Sequence, residues 1–252
     1  MRKSKLSLKP CLSIITINFN NASGLRKTLE SVRIQSYLNY EHIIIDGGSS
    51  DGSVDVIKEF LSDASYAKHL SFWCSEKDTG IYNAMNKGIR HASGKYIAIL
   101  NSGDSYTAHA LDDFDCFANQ YDDVVLYGAI STYKSGVFKG AVCSPADQLA
   151  ERMIPHPASF VSLSLYKEYG LYDETYKSSG DWELFLRFFL KKIPFVYLNK
   201  IITDYDLSGI SSTNLKLVAS ENKRLLAQYG FWKDQSFIKK MKKKIKKLMR
   251  KE

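Results

Sequence analysis

The sequence is poor in what a disulfide scaffold or a zinc site would need. Its four cysteines (Cys11, Cys74, Cys116 and Cys143) are widely spaced, with no Cys-x-x-Cys pair. That argues against both and fits a reducing cytosol. No apolar run approaches the length of a membrane-spanning helix. The basic start, MRKSKLSLKP, lacks the apolar stretch of a signal peptide. The expectation is therefore a soluble or peripheral protein. Neither an internal repeat nor a low-complexity linker divides the chain. No Gly-x-Gly-x-x-Gly follows the first apolar run, where Asn18-Phe19-Asn20-Asn21 stands instead. A dinucleotide-dependent oxidoreductase on a Rossmann-like sheet is thus a poor fit, although a nucleotide-binding sheet is not.

What is present is enough for a core. The chain has 252 residues, 44% of them hydrophobic, so disorder is excluded for its body. The net charge of +8 invites a nucleic-acid reading, but its location argues otherwise. Residues 239–252 carry nine Lys or Arg and one Glu, which leaves 26 basic and 26 acidic residues before them. Nucleic-acid binding needs basic residues spread over a folded face, so no nucleic-acid partner is expected. In the tail, Phe237, Ile238, Met241, Ile245, Leu248 and Met249 fall on one helical stripe among lysines. A basic amphipathic helix suits an anionic membrane surface, at about 1 kcal/mol per basic residue. The alternative is a solvated tail.

Leu12–Asn18, His42–Asp46, Leu70–Cys74, Tyr96–Leu100 and Val124–Ile130 read as buried strands, being short and largely apolar. Helices are expected between them: from a cap at Asn20 or Ser23 to about Ile34, then Ser53–Leu61, Ile81–Ala92 and Leu111–Phe117. This alternation implies an α/β fold with a mostly parallel, Rossmann-like central sheet and helices on both faces. Ligands bind such sheets beyond the carboxyl ends of the strands. The polar loops Asn18–Asn20, Asp46–Asp51, Ser75–Gly80 and Asn101–Asp104 should therefore converge on one site. After residue 131 the pattern loosens into a hairpin over Ser131–Gly140 and a buried helix over Asp181–Lys191. Strands follow at Phe195–Leu198 and Ile201–Leu207, then a core helix carrying Leu215, Val218, Asn222, Leu225 and Tyr229.

Several segments carry a resemblance. SIITINFNN (13–21), IIIDGGSSDGS (43–53), SEKDTGIYNAMNKGI (75–89), GKYIAILNSGD (94–104), HPASF (156–160), SGDWELFLRF (179–188) and SGISS (208–212) occur in one order. In that order they resemble family-2 glycosyltransferases of the GT-A fold, and look closest to the colanic-acid and exopolysaccharide branch. The resemblance implies one GT-A domain over residues 1–235, with a nucleotide-binding half (about 10–130) and an acceptor half (about 131–235). A basic amphipathic tail occupies 236–252. It also implies an inverting transfer from a nucleoside-diphosphate sugar to a glycan acceptor on a polyprenyl lipid. The work would be done in the cytoplasm, at the inner face of the plasma membrane. The rival reading within the resemblance is a catalytically inactive partner protein.

The resemblance also implies residue roles. Asp46 would contact the nucleobase, or else cap the turn after its strand. The backbone of Thr16, Asn18 and Asn20 would line the same end of the pocket, or these would serve only as turn and cap residues. Asp78, Gly80, Asn86 and Lys87 fall around a helix start, where N–H groups suit anionic oxygens; the resemblance makes them donor contacts. Asn83 stands where the family usually has Asp. Asn101–Asp104 corresponds to an Asp-x-Asp-like metal motif for Mn2+ or Mg2+, with Gly103 in place of one acid and Asp104 as the remaining ligand. His156 is a diphosphate or acceptor contact, or a packed histidine. Asp181 is the general base, and can cap its own helix as well.

Overall fold

The structure, a computed structural model, describes residues 9–207 and 214–231. The expected amphipathic tail and the SGISS segment (208–212) lie outside the described residues. Strand β1 (Leu12–Asn18) leads to helix α1 (Ala22–Arg33), β2 (Tyr40–Asp46), α2 (Ser53–Ser62), α3 (Ala64–Ala67), β3 (Leu70–Ser75), α4 (Ile81–His91) and β4 (Tyr96–Ile99). Then come β5 (Ser105–Tyr106), α5 (Ala110–Ala118), β6 (Val125–Lys134), β7 (Val137–Val142), β8 (Ser159–Ser162) and α6 (Leu163–Tyr169). Helix α7 (Gly180–Leu190), β9 (Phe195–Asp206) and α8 (Leu215–Gln228) complete the described chain.

The strands form one sheet in the order β3-β2-β1-β4-β8-β6-β9-β5, with β7 paired to β6. Its first four strands are parallel, as continuous apolar runs require when helices cover both faces. Beyond β4 the sheet is mixed: β8 runs antiparallel to β4 and β6, while β6 and β9 are parallel. The alternation along β1 explains the layers. Ile15 and Ile17 join Ile43, Ile45, Met85 and Ile89 under α4, whereas Leu12 and Ile14 pack with Leu111 and Phe114 of α5. Ile44, Leu25, Leu29 and Ile57 form a third cluster with α1 and α2. Each such fully buried aliphatic side chain contributes roughly 1.5–3 kcal/mol.

Three expectations change. The cap of α1 is Asn21, whose Oδ1 accepts from Gly24 N–H at 3.1 Å, rather than Asn20 or Ser23. The two strands expected near 195–207 are one strand, β9. The interruption between them is a bulge, with Asn199 at φ 54° and register shifts opposite Tyr127–Ile130. The last helix does not bury Leu215, which is 69% exposed; its inward face is Glu221 and Leu225.

Candidate active site

Where β1, β2 and β3 end together, Asn18, Asp46 and Ser75 lie side by side in register. Over these ends opens a cleft of about 1470 Å³. All four polar loops contribute to it, through Asn18 and Phe19, Gly47 and Gly48, Lys77, Asp78 and Gly80, and Asn101–Asp104. The opposite wall comes from the second half of the chain, including Met153–Pro157, Lys177–Ser179, Asp181, Trp182 and Asp206.

At the end of the cleft formed by β1–β3, Asp46 is fully buried. Its Oδ1 accepts from Asn18 Nδ2 at 2.7 Å and Ser49 Oγ at 2.6 Å. Its Oδ2 accepts from Ser49 N–H at 2.9 Å and Ser75 Oγ at 2.6 Å. Burial pushes this carboxyl up, but the donors outweigh it and hold it below its ordinary range. Asp46 therefore acts from behind the wall, by orienting Asn18 and Ser49. Thr16 does not reach the cleft: it is buried inside the sheet, where its Oγ1 meets His42 Nε2 at 2.9 Å. Asn20 is also off the cleft, at φ 47°. Its Oδ1 accepts from Ser50 N–H at 2.9 Å, tying two loops together. Phe19, which motif reading passed over, lines the cleft with a ring 64% exposed.

Helix α4 begins at Gly80, whose φ of 139° suits glycine. Asp78 Oδ1 accepts the Gly80 N–H at 3.0 Å, so both shape this end of the cleft. Asn86 and Lys87, nearly two turns into α4, do not line the cleft as expected. Asn86 Nδ2 bonds Tyr172 O and Glu174 Oε1, at 3.0 and 2.9 Å. Lys87 Nζ pairs with Glu76 at 2.7 Å. Among the described residues, the cations that do line the cleft are Lys27, Lys77 and Lys177. Lys27 reaches it from α1 and Lys177 from the loop before α7, and no local motif marks either.

Asp104 is 4% exposed, and its Oδ1 accepts from Asp206 N–H at 3.1 Å. Burial raises its carboxyl to about 7, against the pull of that N–H and of Lys27. Asp206, at the end of β9, brings a second carboxylate to this part of the cleft, far away in sequence. Asn101 Oδ1 is buried there with no hydrogen-bond partner. These hard oxygens fit Mg2+ or Mn2+ in chemical type. No group of three or more His, Cys, Asp or Glu side chains could hold a metal among the described residues. The set thus fits an ion that shares its coordination with a ligand's own oxygens.

On the facing wall, Asp181 occupies the second position of α7, and the N-cap is Ser179 rather than Asp181. Asp181 Oδ1 accepts from Trp182 N–H at 2.9 Å and Tyr82 Oη at 3.1 Å. Tyr82 in turn accepts Gly180 N–H at 2.8 Å, so α4 and α7 are joined at the carboxylate. Oδ2 makes no hydrogen bond with the described residues. Burial raises the carboxyl to about 6, despite the Trp182 and Tyr82 donors; Glu221 adds to the rise. His156, 6% exposed, also lines the cleft, its Nε2 hydrogen-bonded to Tyr172 Oη at 2.7 Å. Burial lowers it to about 4, so it is neutral at pH 7.

A cleft with a raised carboxylate on one wall and lysines with a helix start on the other suits group transfer from an anionic donor. Residues 13–204 match the sequence model of glycosyl transferase family 2. The chain belongs to that family. This transferase is 33% identical over 210 residues to an uncharacterized glycosyltransferase of Mycobacterium tuberculosis, covering 81% of this chain and 78% of the relative. A PGL/p-HBAD biosynthesis glycosyltransferase of the same species is 27% identical over 208 residues, covering 81% and 80%. Among solved structures, a mannosyltransferase from Pyrobaculum calidifontis in complex with GDP-Man and Mn2+ superposes with a TM-score of 0.69. Identity there is 14%, over 90% of this chain and 66% of that one. S. aureus TarS 1-349 in complex with UDP-GlcNAc gives a TM-score of 0.64 at 14% identity, over 88% and 71%. The transferase spans only 43% of the longer TarS chain. Its fold is GT-A, as the resemblance implied. Family membership sets aside the oxidoreductase reading. No helix among the described residues is long and apolar enough to cross a membrane.

Proposed function

We propose that the protein moves one sugar from a nucleoside-diphosphate sugar to a hydroxyl of a glycan acceptor, with inversion at the anomeric carbon. The observation that carries this is Asp181, a carboxylate raised to about 6 in the cleft, with one oxygen anchored and the other making no hydrogen bond among the described residues. Such a group is ionised at pH 7 yet basic enough to take a proton from the acceptor hydroxyl as that oxygen attacks. The bond from the anomeric carbon to the diphosphate breaks on the opposite face. Lys27, Lys77, Lys177 and the start of α4, shaped by Asp78 and Gly80, stabilise charge on the leaving group. Asp104 and Asp206 would hold Mn2+ or Mg2+ together with the diphosphate, and the ion would supply further charge neutralisation. The Phe19 ring gives the base a stacking surface, and Asn18 with its Asp46 support bounds the ribose side. His156, neutral, helps to shape the acceptor side. The acceptor class is a growing bacterial surface glycan on a polyprenyl lipid, met at the inner face of the plasma membrane. The basic 239–252 tail favours that location, as does the likeness to an enzyme named for PGL/p-HBAD biosynthesis.

The test begins with calorimetry of UDP, GDP and dTDP, with and without Mn2+. One nucleotide should bind in a Mn2+-dependent way, and Asp104→Ala should abolish that dependence. Asp181→Asn should bind the same nucleotide normally but lose about 10²–10⁴-fold in kcat. Product NMR should show the anomeric configuration inverted. Retained configuration, or full turnover by Asp181→Asn, rules out the assignment of the base.

A further inference from the structure

Helix α8 carries a carboxylate that touches the turn in front of Asp181. Glu221 is 7% exposed and faces inward from an otherwise largely solvent-facing helix. Its Oε1 accepts the Lys177 N–H at 2.7 Å, and its Oε2 accepts the N–H groups of Ser178 and Ser179 at 2.9 and 3.0 Å. Three consecutive peptide N–H groups therefore converge on one side chain. Beside it, Ser179 Oγ bonds Asn222 Oδ1 at 2.7 Å, and Tyr176 Oη bonds Gln228 at 3.1 Å. The turn has two outputs into the cleft. Lys177, at its start, extends to Thr79 O at 3.0 Å, next to the first turn of α4. At its end, Ser179 caps α7, which presents Asp181 two residues later.

We infer that Glu221 is the positioning residue of this site: by clamping the Lys177–Ser179 backbone, it sets the catalytic base and the phosphate-side lysine at once. The inference rests on the proposed role of Asp181. Geometry of this kind matters because a displacement of about 1 Å from a reactive arrangement can cost on the order of 100-fold in rate. The clamp also has an electrostatic signature. Asp181 is faced by Tyr82 from α4, by Trp182 N–H from its own helix, by Tyr172 from the loop before α7, and by Glu221 from α8. Of these, the Glu221 charge works to raise its carboxyl, and the Tyr82 hydroxyl and Trp182 N–H lower it.

Two variants separate length from charge. Glu221→Asp keeps the charge but is one methylene too short to reach all three N–H groups. Glu221→Gln keeps the length but turns an amide donor toward peptide donors and removes the charge. Both should bind the cognate nucleoside diphosphate, which shows that they are folded, with kcat lower by about 10- to 100-fold. The acid limb of kcat/KM should stay in place for Glu221→Asp and move to lower pH for Glu221→Gln. A part that is merely structural would lower the melting temperature and leave kcat and the limb unchanged in both, and that result overturns the inference. Asp181→Asn measured alongside separates the two claims. If it is inactive while the Glu221 variants turn over normally, only the positioning role fails. Should it turn over normally itself, the base assignment fails and the inference goes with it.

Discussion

At the scale of the residue, the proposed chemistry depends on how one carboxylate is held. Tyr82 and Glu221 act on Asp181 in opposite senses. Tyr82 donates to Oδ1, which favours the ionised form, so Tyr82→Phe removes a lowering influence. The base must be ionised to work, and activity therefore rises with pH through its pKa. Tyr82→Phe should move that rise from about pH 6 to higher pH, opposite to Glu221→Gln. It also leaves the Gly180 N–H without its acceptor, at a cost of about 1–3 kcal/mol. A kcat/KM profile from pH 5 to 8 with a parallel melting curve reads both effects. The resemblance to family-2 glycosyltransferases could name Asp181 and Asp104, since each sits in one of the segments that carry it. Nothing local marks Lys27, Glu221 or Asp206, because each reaches the cleft from an element whose partner is distant in sequence.

At the scale of the element, α4 must lie close to the sheet for its first turn to meet the cleft. Gly88 allows this. A Cβ there would stand 2.4 Å from Ile15 Cγ2, inside the packed core of β1. Gly88→Ala should therefore lift α4 or force Ile15 aside, costing about 1–3 kcal/mol. The melting temperature should fall, and nucleotide binding should weaken with it because the Gly80 end moves. Element-level reading was strongest in the same region. Apolar runs such as Leu12–Asn18 and caps before periodic stretches are local signals, and β1 through β4 stand where periodicity put them. It was weakest after residue 131. There β8 is four residues long and follows Pro155 and Pro157, and β9 contains a bulge at Asn199 that breaks its pattern.

For the whole molecule, the buried ionisable groups make stability depend on pH in two opposing ways. His42 is lowered to about 3 by burial and by His69, and His156 to about 4 by burial. Below an unfolded value of about 6.5 the unfolded chain binds protons that these cannot, so their contribution to stability is lost as pH falls. Asp104 and Asp181, raised to about 7 and about 6, act in reverse. The folded state keeps their protons where the unfolded chain has released them, so stability falls as pH rises through roughly 4 to 7. Around pH 5 the two sets nearly cancel, and the melting profile between pH 4.5 and 6 should be shallow. Asp104→Asn removes one of the two raised carboxyls from the balance. Its stability should climb with pH over that range, relative to the wild type, by about 1.4 kcal/mol per pH unit. Identical slopes for the two proteins would show that Asp104 is not buried in its protonated form.

The amino-acid order by itself determined the parallel half of the sheet, the placement of four polar loops at its carboxyl edge, and Asp104 and Asp181 as candidate site residues. The sheet and the loops follow from periodicity and turn chemistry, which act over a few residues, and the two acids from the resemblance of their segments to family-2 glycosyltransferases. Only the tertiary structure decided which of the candidates face the cleft. It turned Thr16, Asn86 and Lys87 to partners on other elements, and put Asp46 behind Asn18. It also brought Asp206 to Asp104 and Glu221 to the turn before Asp181. Where a side chain points, and which backbone donors meet it, is set by the packing of strands and helices far apart in the chain. That packing leaves no local trace.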